Sequence, residues 1–200
     1  AEKAAVHCVI IGFADKKYNG KKFIYNNATA NEAVNINPYL VDAPDVLVES
    51  RGGALCAVPK MTKGNQPSDG GNLILSEEER NTLLGKTPEV ESCIRRYIGS
   101  KDFINGGERR YCLWLKGISP SIYRNSAEIR KRLEAVREMR LASSAAPTRA
   151  LAEKPFLFFS TPQTDATYLC IPEVSSERRR YIPIGFMSPE IIPSNKLLIV

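Results

Sequence analysis

The sequence predicts a mixed α+β domain, rich in strands, with several short helices and one longer helix. Three observations carry this expectation. Short apolar runs bounded by Gly, Pro, Asn and Asp fill the two ends of the chain, as in "AAVHCVIIGF" and "NKLLIV". A Ser-x-x-Glu box at Ser76 and Glu79 opens a helix in the middle. Farther on, Ile129, Leu133, Val136 and Met139 recur at helical spacing through an otherwise polar stretch.

Taken in order, Ala4 to Phe13 is a near-continuous apolar run suited to a central strand, and Lys21 to Asn26 follows a turn carrying Asp15, Asn19 and Gly20. Together they predict an antiparallel hairpin. The small polar residues from Asn26 to Asn37 read as a linker with a domain boundary inside it, dividing the chain into residues 1–30 and 31–200. A buried strand at the start reads as a chain excised from a longer one. Val41 to Arg51 predicts a strand, and Pro59 to Leu75, rich in Gly, Pro, Asn and Asp, a long loop. The helix capped by Ser76 stops at Gly85; a second starts at Thr87 with Pro88 in its first turn and ends in Arg95 and Arg96, where cations suit the helix dipole. "FINGGERRYCLWL", Phe103 to Leu115, predicts a hairpin around Asn-Gly. Asn125 with Glu128 opens the longest helix, to about Ser143. "FLFFS", "ATYLCIPEV", "RRRYIPIGFM" and "NKLLIV" read as the closing strands.

The 200 residues are 43% apolar, enough for a sizeable core. Lys and Arg total 28 against 22 Asp and Glu, a formal charge of +6 that suits a polyanionic partner without identifying one. Five cysteines, odd in number, scattered and mostly in apolar surroundings, read as reduced buried thiols. With no Cys-x-x-Cys pair and His7 as the only histidine, a zinc site has too few ligands, and a Ser-His-Asp or Cys-His centre lacks a free base because His7 sits in a strand-like run. No apolar run approaches the roughly 20 residues of a membrane helix, and the amino terminus has no secretory layout. The expectation is a cytoplasmic protein with no membrane partner.

Charge is concentrated in three places. The long helix carries Arg130, Lys131, Arg132, Arg137 and Arg140, which suit a solvated face offset by Glu134 and Glu138 and phosphate contact equally. "GERRY" adds Arg109 and Arg110, which with Arg137 and Arg140 are the candidate phosphate contacts. In "SSERRRYIP", Ser175 to Pro183, extended backbone would point Glu177, Arg179 and Tyr181 one way and Arg178, Arg180 and Ile182 the other, with Ile182 and Ile184 toward the core. Glu177 and Arg179 then form either a surface ion pair or a base reader, since a carboxylate accepts from the cytosine amino group and a guanidinium donates twice to guanine. Asn37-Pro38-Tyr39 is similar to the Asn/Asp-Pro-Pro-aromatic signature of amino-methylating enzymes but lacks the second proline and a preceding Gly-rich cofactor loop, and reads as a turn and strand entry.

Five stretches in order, "AAVHCVIIGF", "NINPYLVDAP", "SDGGNLILSEEE", "FINGGERRYCLWL" and "SSERRRYIPIGF", resemble the carboxyl-terminal region of MmeI-like (type IIG/IIL) bifunctional restriction-modification enzymes, across essentially the whole chain. Those enzymes join a nuclease, an S-adenosylmethionine-dependent adenine-N6 methyltransferase and a target recognition domain. The resemblance implies that Ala4 to Asn26 is the last hairpin of a Rossmann-like methyltransferase sheet and that the rest is a target recognition domain for double-stranded DNA. It implies base reading by Glu177 and Arg179, and places Ala145 in a second segment that approaches DNA. No catalytic residue or cofactor site is expected in this stretch, S-adenosylmethionine and the methyltransferase domain belonging to the parent polypeptide. The alternative is a basic protein- or RNA-interaction domain without base readout.

Overall fold

A computed structural model describes residues 9–26, 29–176 and 178–200. The chain falls into two compact units, one up to Ala57 and one from Val58 to Val200.

In the first unit β1 (Lys22–Asn26) pairs antiparallel with β2 (Thr29–Ala33), Lys22 opposite Ala33 and Asn26 opposite Thr29. β1 is a strand as expected, but its expected partner is not: residues 1–8, His7 and Cys8 among them, lie outside the described residues, and Val9 to Phe13 form no strand, Ile10 and Phe13 being 99% and 96% exposed. The partner is drawn instead from the stretch that reads as a linker. β1 supplies Phe23 and Tyr25, their ring centres 6.4 Å apart, and Lys21 is paired to Glu32 across the ribbon at 2.7 Å. The expected boundary between residues 30 and 31 falls within β2.

Asn37 makes the expected turn. Its Oδ1 accepts from the backbone N–H groups of Tyr39 (2.9 Å) and Val41 (3.3 Å), with Leu40 at a φ of 62°. The strand expected over Val41 to Arg51 reduces to one bridge, Ile36 to Asp42. Asp42 turns its carboxylate onto the N–H groups of Val34 (3.1 Å) and Asn35 (2.9 Å), and Pro44 has no N–H for a ladder.

The second unit holds two four-stranded sheets. β3 (Thr62–Lys63), β10 (Leu197–Ile199), β7 (Tyr168–Pro172) and β8 (Gly185–Met187) form one in that order, all antiparallel. The other runs β4 (Ile74–Ser76), β6 (Arg110–Leu113), β5 (Ile94–Ile98), β9 (Ile191–Pro193), with only β5 and β9 parallel. β9, missed in the sequence, tolerates Pro193 because it is an edge strand. Where β9 leads to β10, Gly64 passes so close that a side chain there would meet the Pro193 carbonyl at 2.8 Å and that of Ser194 closer still.

Among the described residues five α-helices complete the unit: α1 (Glu77–Lys86), α2 (Ser100–Asn105), α3 (Pro120–Tyr123), α4 (Ala127–Leu141) and α5 (Ala146–Ala150). α1 has its capping box, Ser76 Oγ accepting from Glu79 N–H and the Glu79 carboxylate from Ser76 N–H, and it passes through Gly85 to end at Lys86. The second helix is one stretch of 3₁₀ turn, Pro88–Cys93; Ile94, Arg95 and Arg96 belong to β5. The Asn-Gly hairpin is absent too. Asn105 ends α2, and Gly106, at a φ of 66°, turns the chain out of it, so the same dipeptide serves as a helix stop. β6 is central, with Cys112 and Leu113 both fully buried, so both of its faces are core. α4 starts from Ser126 rather than Asn125, and the stripe holds: Ile129 and Val136 are buried, Leu133 and Met139 half-buried. "FLFFS" forms no strand beyond a bridge between Ser160 and Gln66.

Leu75, Leu83, Val90, Leu113, Ile129 and Val136 join α1, α4 and the β4–β9 sheet in one core; Ile98, Tyr168, Cys170, Leu197 and Ile199 form a second, with Phe103 of α2 packed against it. Cys93, Cys112 and Cys170 are buried as expected and Cys56 is exposed. Burial pushes the Cys170 thiol up to about 11 and raises those of Cys93 and Cys112.

Arg140, on α4, is fully buried. Its Nε donates to the Ser68 carbonyl (3.0 Å), Nη1 to those of Leu151 (3.2 Å) and Lys154 (3.0 Å), and Nη2 to those of Pro67 (3.0 Å) and Leu157 (2.7 Å). The "long loop" before α1 is thereby pinned, not free. Burial lowers the guanidinium pKa, and the nearby Asp69 charge opposes that. A lysine offers a point charge where five carbonyls need a fork. Arg140→Lys and Arg140→Met are each expected to cost about 3–5 kcal/mol in denaturant unfolding.

Candidate nucleic-acid interface

β7 and β8 are joined by residues 173–184, which contain the arginine run. Arg178, Arg179 and Arg180 are exposed, and Glu177 lies outside the described residues. The expected strand alternation does not hold here. Ser176 starts a turn, its Oγ accepting from Arg178 N–H (3.2 Å) and its carbonyl from Arg179 N–H (3.0 Å), and Ile182 and Ile184 are exposed rather than turned to the core. Side-chain direction is set by contacts instead. Arg180 stacks over Tyr181 at 5.3 Å, and Arg179 Nη2 donates to Asn105 Oδ1 at 2.9 Å. Asn105 escaped the sequence reading because Asn-Gly was absorbed into a hairpin turn.

α2, which presents Asn105, is itself held at its start. The Asp102 carboxylate accepts from Gly99 N–H (2.9 Å) and from Arg110 Nη2 (2.5 Å), and the Arg110 guanidinium lies 5.6 Å from the Tyr97 ring centre. Burial, the largest single influence on Asp102, pushes its pKa up; the bonds from Arg110 and Gly99 and the charges of Arg110 and Lys101 together hold it below the ordinary value. Tyr97 is pushed up to about 12, chiefly by burial.

The arginines expected to touch phosphate divide. Arg140 is corrected outright: it is buried with all its donors used. Arg110 is committed within the fold to Asp102 and Tyr97. Arg109 is largely exposed, its Nη1 4.0 Å from Glu77, and Arg137 is exposed beside Glu134 at 3.3 Å. On the same helix Arg132 binds Glu79 (2.6 Å), Glu128 (3.1 Å) and the Asn72 carbonyl (3.2 Å), whereas Arg130 and Lys131 face solvent. Ala145 is exposed at the start of α5, and Arg149 Nη1 braces that turn through the carbonyls of Ser143 (2.8 Å) and Ser144 (2.7 Å). Among the described residues no three His, Cys, Asp or Glu side chains gather as a metal site, and no helix is long and apolar enough to cross a membrane.

Comparison with known proteins agrees with this architecture. Residues 42–200 match the family model for the MmeI target recognition domain. "DNA methyltransferase A" of Bacillus subtilis (strain 168) is 36% identical over 197 residues, covering 98% of this chain and 22% of that protein. The solved structure of the Type IIL restriction-modification enzyme MmeI in complex with DNA is similar at a TM-score of 0.81 and 41% identity, covering 90% of this chain and 25% of that one. The chain thus spans about a quarter or less of the length of these relatives.

The Asp102 and Arg110 pair predicts a pH signature. Because the folded pKa of Asp102 is lowered, its contribution to stability is complete above the unfolded value, about 3.9, and is lost as pH falls through the folded value. Asp102→Asn is therefore expected to be less stable than wild type above about pH 4, with the two unfolding curves converging in stronger acid.

Proposed function

The chain belongs to the MmeI target recognition domain family, and on that premise we propose that it reads a base sequence in double-stranded DNA and positions a target adenine for methylation by another part of a longer cytoplasmic polypeptide. The observation that carries the reading is the β7–β8 connection, an exposed loop with three consecutive arginines whose middle guanidinium is anchored to a separate helix. Exposed arginines on a fixed base are what major-groove readout needs.

Glu177 and Arg179 together read one base pair, with Ala145 at the α4–α5 turn approaching a neighbouring one. Arg109 and Arg137 contact phosphates. The longer polypeptide supplies an S-adenosylmethionine-dependent adenine-N6 methyltransferase, and the amino-terminal residues through the β1–β2 ribbon belong with it. The exposed apolar side chains of Ile10, Phe13 and Tyr25 support that placement, since surface of this kind is ordinarily covered by a neighbour. Transfer to the adenine amino group requires the base to leave the stack, so the recognition domain acts by fixing the register at which one adenine is extruded.

Three results are expected. In salt titrations of the full-length protein, Arg109→Ala and Arg137→Ala each flatten the salt dependence by about one unit and weaken all duplexes alike. Arg179→Ala instead relaxes discrimination at one position of the methylated motif, at a cost of roughly 1–3 kcal/mol on the preferred site. The exchange Glu177→Lys with Arg179→Asp shifts preference toward the reversed base pair. If methylation mapped over a randomised duplex pool is unchanged by both the Arg179 truncation and the exchange, the run is a surface charge cluster and a basic protein- or RNA-binding role takes its place.

A further inference from the structure

Arginine side chains have long, costly rotamer freedom, and a guanidinium that discriminates bases must arrive in one plane. The described residues hold one contact that fixes that plane for Arg179: the hydrogen bond from Nη2 to Asn105 Oδ1, 2.9 Å long and joining residues 74 apart in sequence. Asn105 is the last residue of α2, and α2 cannot drift. Its first turn is clamped by Asp102 to Gly99 N–H and Arg110, Ser100 Oγ donates to the Lys196 carbonyl before β10, and Phe103 packs against the core of Ile98, Tyr168, Cys170, Leu197 and Ile199.

The chemical type of the partner matters as much as its position. Arg110 is met by Asp102, Arg132 by Glu79 and Glu128, and Arg137 by Glu134, and in each the cation is neutralised by a carboxylate. α2 meets Arg179 with an amide. An amide oxygen takes one N–H and leaves the charge whole, with four of five donors unspent by that bond. Such an arrangement orients a guanidinium without competing with a groove edge for it.

We propose that Asn105 is a positioning residue for base readout: it holds Arg179 in the plane from which the guanidinium meets a guanine edge, and so sets specificity at that one base pair without touching DNA. This rests on the reading of Arg179 given above.

The test uses the full-length protein and a duplex pool randomised across the target, with the bound fraction sequenced for wild type, Arg179→Ala, Asn105→Ala and Asn105→Asp. Asn105→Ala is expected to lower preference at the Arg179-dependent position roughly tenfold and to leave every other position and binding to non-target duplex unchanged. Asn105→Asp, which retains an acceptor at the same place but brings a carboxylate that competes with the groove edge for the guanidinium, is expected to restore only part of the preference. If Arg179→Ala relaxes a position that Asn105→Ala leaves intact, the inference is overturned and the proposed function stands. If Arg179→Ala itself changes nothing, the reading beneath both is overturned. Uniform weakening on all duplexes by Asn105→Ala, unrelieved by Asn105→Asp, would confine Asn105 to the fold and also overturn the inference.

Discussion

One buried cation organises the second unit. Arg140 brings a full charge into the interior, and among the described residues its hydrogen-bond partners are five backbone carbonyls drawn from two segments, Pro67 and Ser68 before β4 and Leu151 to Leu157 after α5. The carbonyls of Leu151 and Lys154 also take a backbone N–H, from Lys154 and Leu157 at 3.0 Å each, whereas for those of Ser68 and Leu157 the guanidinium is the partner among the described residues. The five donors of the guanidinium match these five acceptors. α4 thereby serves as a post to which both segments are tied, and the turn carrying Ala145 leaves α4 one helical turn beyond that tie.

The remaining cations follow a similar division between fold and surface. Arg110 and Arg132 are spent on α2 and on the α1–α4 contact, where a carboxylate neutralises each. Arg178, Arg179 and Arg180 stand on an exposed loop, and among the described residues none of them is paired with a carboxylate. A net charge of +6 therefore understates how unevenly the chain distributes its positive charge. Arg178 to Arg180 form a run of exposed cations on the β7–β8 loop, and Arg130 and Lys131 are exposed on α4, whereas Arg132 and Arg140 of the same helix hold the scaffold together.

Legibility in the sequence followed the range of the interaction responsible. The capping box at Ser76, the stripe of α4, the apolar run of β7 and the turn at Asn37 are local, and each appears in the structure as its residues imply. Misreadings arose where one local pattern serves two ends. Asn105-Gly106 suits a hairpin and a helix stop equally, and the tertiary ties of α2 decide for the stop. Val9 to Phe13 has the composition of a buried strand yet no partner among the described residues. The role of Arg140 was invisible because a helix pattern marks which face a residue occupies but not which loops close over it. The same limit hid Asn105, while the position of the arginine run itself was legible from the five ordered stretches that carry the family resemblance.

The central claim is that the β7–β8 loop meets DNA in a sequence-dependent way. Hydrogen exchange of the full-length protein, followed by mass spectrometry with its target duplex and with a scrambled duplex of equal length and salt, tests this directly. The account predicts that peptides spanning residues 173–184 and the end of α2 are protected by the target duplex and remain open with the scrambled one. Equal protection by both duplexes, or protection that omits this loop, would contradict it.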